Sequence, residues 1–417
     1  MNTSSAIRRA MSALRVPAFT RCLIALLVVV GSAAQAEAPA PTDSDHLAWQ
    51  LFVAINWPAG RGTASAPAPL AWETWANTRD VYRDDGGDPG PWQSSTCLTR
   101  RSGPGVANEA RFEGAENANP ELAALTNLRH VAAGRMVPGI PTVIDAERLI
   151  ESRMNRIAYD YVRSQALYNV EGQMRVVASG RALQFPRGSI EVKASWRPIA
   201  AADAPRYRTL WVRLRGGESR LYGLTALNLA AKILPTRANG SAHGSSWLWA
   251  SFEHVDNAHR ALGEGWQLPS RDTYACPQDP SACDRVPERL GLEATVWQNY
   301  RLRGTLTDYV DGGGHPQRLG NSELEAGLQS TSSCMTCHAR SALAVAGGRP
   351  SRLPVFATNE RRGSIGVPDS SWFRADGAVY RSLDFVWSLA QAKPRRSAPL
   401  ANPHRHELPA ENFGDMR

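Results

Sequence analysis

The chain has few cysteines and histidines for its 417 residues, six and nine, and what it lacks narrows what it can be. It has no apolar run long enough to cross a bilayer as a helix, which takes roughly 20 residues; the longest, Cys22 to Val30, is about half that. No Ser-His-Asp order, phosphate-cradling glycine loop or paired-carboxylate motif stands out, so hydrolase and nucleotide-binding signatures are missing. There is no basic stripe and no recognition motif for nucleic acid. No repeat of fixed period occurs, which excludes solenoids and propellers.

The short apolar run has a specific reading. Arg8, Arg9, Arg15 and Arg21 precede it and Ala34-Gln35-Ala36 follows it, the charged, apolar and small-residue sections of a secretory signal peptide. Cys22 lacks a lipobox, so a lipid anchor is not expected. Cleavage after Ala36 would remove four arginines and no acid, taking the formal charge from +8 to +4. Most of the apparent basicity is therefore targeting. The expectation is a periplasmic or secreted protein, with no integral membrane segment once the peptide is removed. An oxidising compartment favours disulfides. Cys276 and Cys283 bracket the polar stretch Pro-Gln-Asp-Pro-Ser-Ala, a loop that a bridge would close, and Cys97 is left over.

Local patterns predict an α+β fold. Leu47, Leu51 and Ile55 recur at helical spacing with Phe52 beside them, after Asp43 or Ser44 as a cap and before Pro58. A long helix is predicted over 146–167, where Ile150, Met154, Ile157 and Tyr161 hold that spacing. Ile190, Val192, Ala194 and Trp196 then alternate with Glu191, Lys193 and Ser195, a strand with Glu191 and Lys193 turned to solvent. Further strands are predicted over 209–214, 220–229, 246–253 and 295–306, in a mixed or antiparallel sheet with flanking helices. Near the C-terminus, Ser322 with Glu325 three residues on has the capping-box pattern for a short helix over 323–329, and an amphipathic helix fits 380–390.

The chemistry-bearing motif is Cys334-Met335-Thr336-Cys337-His338. Cys-x-x-Cys-His is the attachment pattern of c-type haem: each thiol adds across one vinyl group and the adjacent imidazole binds iron. One helical turn puts residues four apart on one side, so Cys334 and His338 would face the same porphyrin. The expectation is one covalent haem c on Cys334 and Cys337 with His338 as axial iron ligand. Two other readings of the pair are a thiol–disulfide site, which would want a strand before it and a helix starting at its first cysteine in a βαβ context, whereas a predicted helix and Ser332-Ser333 precede Cys334, and half of a zinc site, which lacks a second pair at suitable distance. For the other face of the iron, no Met follows His338 before Met416. Among His254, His315, His404, His406 and Met416 the preferred ligand is His254, at the end of an apolar strand with Glu253 and Asp256 to fix its tautomer.

A short helix, the Cys-x-x-Cys-His segment, loops and a closing helix resemble a c-type cytochrome over roughly 321–391. Trp49 to Pro58, Phe252 to Asn257 and Ser333 to His338 also resemble segments of large exported bacterial monohaem cytochrome c family proteins. The expected organisation is a signal peptide (1–36), an α+β body (37–320), a cytochrome c-like, mainly helical haem-binding region (321–394) and a polar tail (395–417). The resemblance supports haem and location and not a reaction; one haem, an exported chain and no recognisable catalytic constellation point to electron transfer with a redox partner protein or small redox molecule. The alternative is a haem-dependent oxidoreductase, peroxidase- or oxygenase-like, with an open distal iron site.

Overall fold

The computed structural model describes residues 44–60, 68–92, 106–108, 113–114, 148–214, 216–233, 246–257, 271–325, 329, 331–353, 365–375 and 377–396. The signal peptide, Cys97, His404, His406 and Met416 lie outside these residues.

A nine-stranded sheet organises the chain: β1 (Ala76–Asn77), β2 (Val106–Asn108), β3 (Glu113–Gly114), β4 (Leu149–Met154), β5 (Ile190–Pro198), β6 (Thr209–Arg213), β7 (Ser219–Ala231), β8 (Leu248–His254) and β9 (Tyr300–Leu306). The path runs β1-β4-β5-β7-β6-β2, and the far end of the long β7 continues into β8 and then β9. β2 and β6 are parallel and the other pairs antiparallel. The α+β expectation and the mixed sheet with flanking helices are thus what the fold shows.

Each face has its own core. The outward alternation of β5 puts Ile190, Val192, Ala194 and Trp196 on one face, against helix α1 (Ser44–Ile55). Phe52 of α1 stacks on Phe252 of β8 with ring centroids 4.2 Å apart, and Trp49 meets the same ring edge-on at 5.0 Å. Asp45, buried in the first turn, accepts from Thr273 N at 2.8 Å and Thr305 Oγ1 at 2.6 Å, tying α1 to β9 and the segment before it. Helix α2 (Thr78–Val81), α3 (Arg156–Ser164) and α4 (Val170–Ala178) belong to the second core, with Met154, Trp247, Trp249 and Leu306 of the sheet.

The helix expected over 146–167 is divided. Its first part is β4, and only Arg156–Ser164 is helical, opened by Asn155, whose side chain accepts from Ala158 N at 3.1 Å. Ile150 and Met154 are four apart, a spacing that satisfies a helix and also the two-residue period of a strand. The sheet decides between them. On the other side of β4, Glu151 and Arg153 pair at 2.9 Å with both side chains fully buried, which a surface helix would not provide.

The C-terminal part is not a separate helical unit. Residues 323–325 form turns, and Asn321 caps them, accepting from Glu323 N at 2.9 Å and Leu324 N at 3.3 Å. The expected helix over 380–390 is replaced by strand β14 (Arg381–Ser382), a bend and a 3-10 turn at Trp387–Gln391. Asp384 and Phe385 have φ of 54° and 68°, left-handed values that no α-helix contains. Between them lie helix α5 (Cys334–Ala339) and strands β10 (Ala342–Ala346), β11 (Arg349–Arg352), β12 (Arg374–Ala375) and β13 (Ala378–Val379). β10 pairs β11 and β14, and β12 pairs β13. Met335, Ala339, Leu343, Leu383, Val386 and Leu389 enter the second core. This segment therefore covers the second sheet face and shares its core with α3 and α4.

That cover reverses the expected setting of Glu191 and Lys193, which face the C-terminal segment and not open solvent. Glu191 accepts from Ser388 Oγ at 2.6 Å, and burial pushes its carboxyl up to about 7 against a weaker downward pull from that bond. Its folded value lies above the unfolded one, so the folded state binds the extra proton between pH 4.5 and 7 and loses stability as pH rises through that window. We expect Glu191→Gln to remove this decline, a gain of about 1–3 kcal/mol at pH 7.5 and none at pH 4, read from denaturant midpoints across pH. Equal pH slopes in parent and variant would exclude it.

Candidate functional site

The site forms where the second sheet face meets residues 319–341. Cross-strand register lines up Ser152, Lys193, Asn228 and Ser251 across β4, β5, β7 and β8, a polar row through the middle of the sheet. The next row, Met154, Glu191, Ala230, Trp249 and Leu306, is mostly apolar. Buried polar atoms need partners, and the covering segment supplies them. Asn321 donates to Ser251 Oγ at 3.0 Å and to Asn228 Oδ1 at 3.2 Å. Asn228 donates to both Glu325 oxygens at 3.2 Å, and Asn321 N donates to Glu325 at 2.8 Å. Further along the face, Glu253 accepts from Ser322 N and Oγ at 2.7 and 2.6 Å. Glu323 pairs with Arg197 at 2.7 Å. The polar row thus sets the position of 321–325, and that in turn sets Leu319.

Leu319 aligns parallel with Ser333, and its carbonyl accepts from Cys334 N at 3.0 Å and from the Cys334 thiol at 3.2 Å. Helix α5 starts at Cys334 itself, with Ser333 as N-cap. Burial, and secondarily the Glu325 charge, push the Cys334 thiol well above its ordinary value, so it is held protonated. Neither Cys334 nor Cys337 is in a disulfide, and both residues are half-buried. Trp387 Nε1 donates to Cys337 O at 3.1 Å and Thr336 Oγ1 to Gly366 O at 2.7 Å, fixing the turn.

His338 lies against Trp249, ring centroids 4.3 Å apart. Its Nδ1 is 2.7 Å from Phe385 O; a carbonyl only accepts, so Nδ1 carries the hydrogen and Nε2 the lone pair. Burial lowers its value to about 4, outweighing the Phe385 bond. The imidazole is neutral at ordinary pH.

His254, the expected second axial ligand, is elsewhere and fully committed. Its Nε2 is 3.0 Å from Arg206 O, its Nδ1 accepts from Asp256 N at 3.1 Å, and its ring stacks on Tyr207 at 3.7 Å. It is five residues along β8 from Trp249, the residue that touches His338, about 16 Å at the rise of a strand. It has no free lone pair and no reach, and is a structural histidine. His315 is exposed in a turn with Asp311 at 3.3 Å.

The haem expectation is corrected with it. Among the described residues no group of three or more His, Cys, Asp or Glu could hold a metal ion. The covalent haem c, the iron, the cytochrome c resemblance, haem-based electron transfer and the haem oxidoreductase alternative are therefore set aside. The disulfide among the described residues is the expected Cys276–Cys283 bridge, distinct from the Cys334/Cys337 pair. The alternation of β5 is legible in the sequence, but not that the face carrying Lys193 is covered by residues 319–341.

Among the described residues no helix is long and apolar enough to cross a membrane. Compared with family models, curated proteins and solved structures, the chain matches none.

Proposed function

We propose that this is an exported dithiol protein whose Cys334–Cys337 pair exchanges two electrons with a disulfide of a partner. The observation that carries the reading is the placement of Cys334 and Cys337 on the first turn of α5, neither of them in a disulfide, in a chain whose Cys276–Cys283 pair is bridged. Cysteines three apart within one helical turn can close a disulfide, and here burial offsets what a helix start would do to the Cys334 thiol. The signal-peptide pattern supports the location.

In the exchange, one thiol loses its proton and attacks a sulfur of the partner disulfide, releasing the partner's other sulfur as thiolate and leaving a mixed disulfide. The second cysteine then attacks its neighbour's sulfur in that mixed disulfide. The partner leaves with two thiols, and Cys334 and Cys337 leave as a disulfide, having given up two electrons. Cys334 is held as a thiol by burial and by Leu319 O, so Cys337 attacks first and Cys334 resolves. A high thiol value makes a poor leaving group, which places the pair on the slow, reducing side of this chemistry.

The test is thiol counting by mass spectrometry. Peptide mapping of the reduced protein should find an alkyl group on Cys334 and on Cys337, counted apart from the left-over Cys97, and on neither of the pair after incubation with oxidised glutathione. A Cys334→Ser variant should stop at a mixed disulfide on Cys337. A covalent group already present on both sulfurs of protein purified from its own host, or alkylation unchanged by the oxidant, would overturn the reading.

A further inference from the structure

Residues 384–389 bond in two directions. Three of them hold the body of the protein: Asp384 pairs with Lys232 at 2.5 Å, Ser388 Oγ donates to Glu191 at 2.6 Å, and Leu389 O accepts from Gln173 Nε2 of α4 at 2.9 Å. The three between them hold α5 and the residues just beyond it. Phe385 O accepts from His338 Nδ1 at 2.7 Å, Val386 O accepts from Ser341 Oγ at 2.8 Å, and Trp387 Nε1 donates to Cys337 O at 3.1 Å. The Trp387 ring also lies edge-on to His338, centroids 6.4 Å apart. A movement of 384–389 away from the body therefore breaks the contacts that fix Cys337 and His338. The anchors on the body differ in kind. Leu389 offers a carbonyl that does not titrate, and Asp384 meets an ammonium, whereas Ser388 is tied to a buried carboxyl on which no cation acts.

We infer that residues 384–389 form a strap on the dithiol helix, latched at Ser388 while Glu191 holds a proton and loosened when Glu191 ionises, so that pH governs how readily Cys337 meets a partner. The inference rests on the dithiol reading of the pair and adds its regulation. A protonated carboxyl under the closed strap needs no countercharge, whereas a carboxylate buried without one is costly. Burial raises Glu191 from 4.5 to about 7, against a weaker pull from the Ser388 bond. Opening the strap lets water reach the carboxyl and returns it toward its ordinary value. The closed form thus binds the extra proton between pH 4.5 and 7, and closure is fully favoured below that window and loses this advantage as pH rises through it. Across the sheet Glu191 is flanked by Met154 and Ala230, which do not titrate, and Lys193 lies two residues along β5 on the same face. Tyr82 Oη lies 3.1 Å from the Ser388 hydroxyl, and burial keeps it protonated. Arg352 of β11 donates to Leu389 O at 3.1 Å and to Gln173. Asp384 is the other carboxyl on the strap, raised by burial and pulled back by Lys232. Its protonation would break an ion pair and loosen the strap at low pH, the opposite sign to Glu191, so the direction of the pH response tells the two apart.

The experiment compares the full-length reduced protein with its Glu191→Gln and Ser388→Ala variants between roughly pH 5.5 and 8, a range that spans the rise of Glu191 ionisation. Two rates are read by peptide mass spectrometry: amide hydrogen exchange of the strap peptide, and N-ethylmaleimide labelling of Cys337. Each is taken as a ratio to the parent at the same pH, which cancels the pH dependence of the reagent and of exchange. The parent's lead over Glu191→Gln is expected to grow on the order of 10-fold across this range in both readouts, a tenfold change being one pKa unit. Ser388→Ala, which cuts the latch and keeps the carboxyl, should exchange and label faster than the parent already at the acid end, and decides the matter if Glu191→Gln does not fold. A parent-to-variant ratio that stays flat with pH, or strap exchange that responds while Cys337 labelling does not, would overturn the inference and leave the dithiol reading standing. A parent with no labelable thiol at either cysteine would remove the reading and the inference together.

Discussion

Asp384→Ala is expected to cost about 3–5 kcal/mol, the range found when one member of a buried ion pair is removed. Asp384 pairs with Lys232, and both side chains are nearly buried. The same carboxylate accepts from Phe185 N at 2.6 Å and from Trp247 Nε1 at 3.3 Å. Burial raises its value and Lys232 opposes that rise, so the aspartate depends on the ammonium as much as the reverse. Alanine would leave Lys232 uncompensated on the covered sheet face and would put a β-carbon residue without a polar side chain at φ 54°, a conformation that costs about 1–2 kcal/mol for most L-residues. Asn at this position should lose less, because its short amide tolerates left-handed backbone. Lys232→Met in the Asp384→Ala background should recover part of the loss, since it removes the stranded charge. Denaturant midpoints of the four proteins check this. The local consequence is at the site: Phe385 O, the next carbonyl, holds His338 Nδ1, so the Nδ1–H proton resonance should lose protection from exchange. A loss below 1 kcal/mol with unchanged exchange would show that the bend does not depend on Asp384.

Arg153→Ala should destabilise by a similar amount, about 3–5 kcal/mol, through the other face of the sheet. Arg153 and Glu151 are two residues apart on β4, so they share one side of the strand, and both side chains are fully buried. Arg153 also donates to Trp75 O at 2.7 Å, and Glu151 accepts from Trp196 Nε1 at 3.1 Å. Removing the guanidinium takes the paired cation from a fully buried carboxylate in a core walled by Trp72 and Trp196, 6.2 Å apart. The paired replacement Glu151→Leu with Arg153→Met should cost much less than Arg153→Ala alone, because desolvation of two charges offsets most of their mutual attraction. A thermal or urea double-mutant cycle measures the coupling. If the single and double variants lost equal stability, Arg153 would be contributing packing and not charge.

These two predictions fall at places where linear patterns misled. Along 146–167, Ile150 and Met154 obey the helix period and the strand period together. Only the neighbouring strand β5 shows that Glu151 and Arg153 are internal. Near the C-terminus, the apolar residues of 380–390 are spaced for a helix, yet Asp384 is drawn to Lys232 and the chain bends. Lys232 lies 152 positions earlier, and no local pattern can register such a partner.

The sequence by itself determined the elements whose patterns are local and unambiguous: α1 before Pro58, the alternating β5, the strands after it, and the loop closed by Cys276–Cys283. It also located the candidate site, because Cys334, Cys337 and His338 stand together in five residues. Tertiary structure alone decided what surrounds that segment. It sent His254 to a stack with Tyr207, brought Trp249 to His338, and put the polar row of Lys193, Asn228 and Ser251 under Glu325 and Asn321. The physical reason is that periodicity states which side of a strand a residue occupies, while the identity of what covers that side depends on contacts between distant residues, such as those across 70 and 97 positions that seat Asn321 and Glu325 on the polar row.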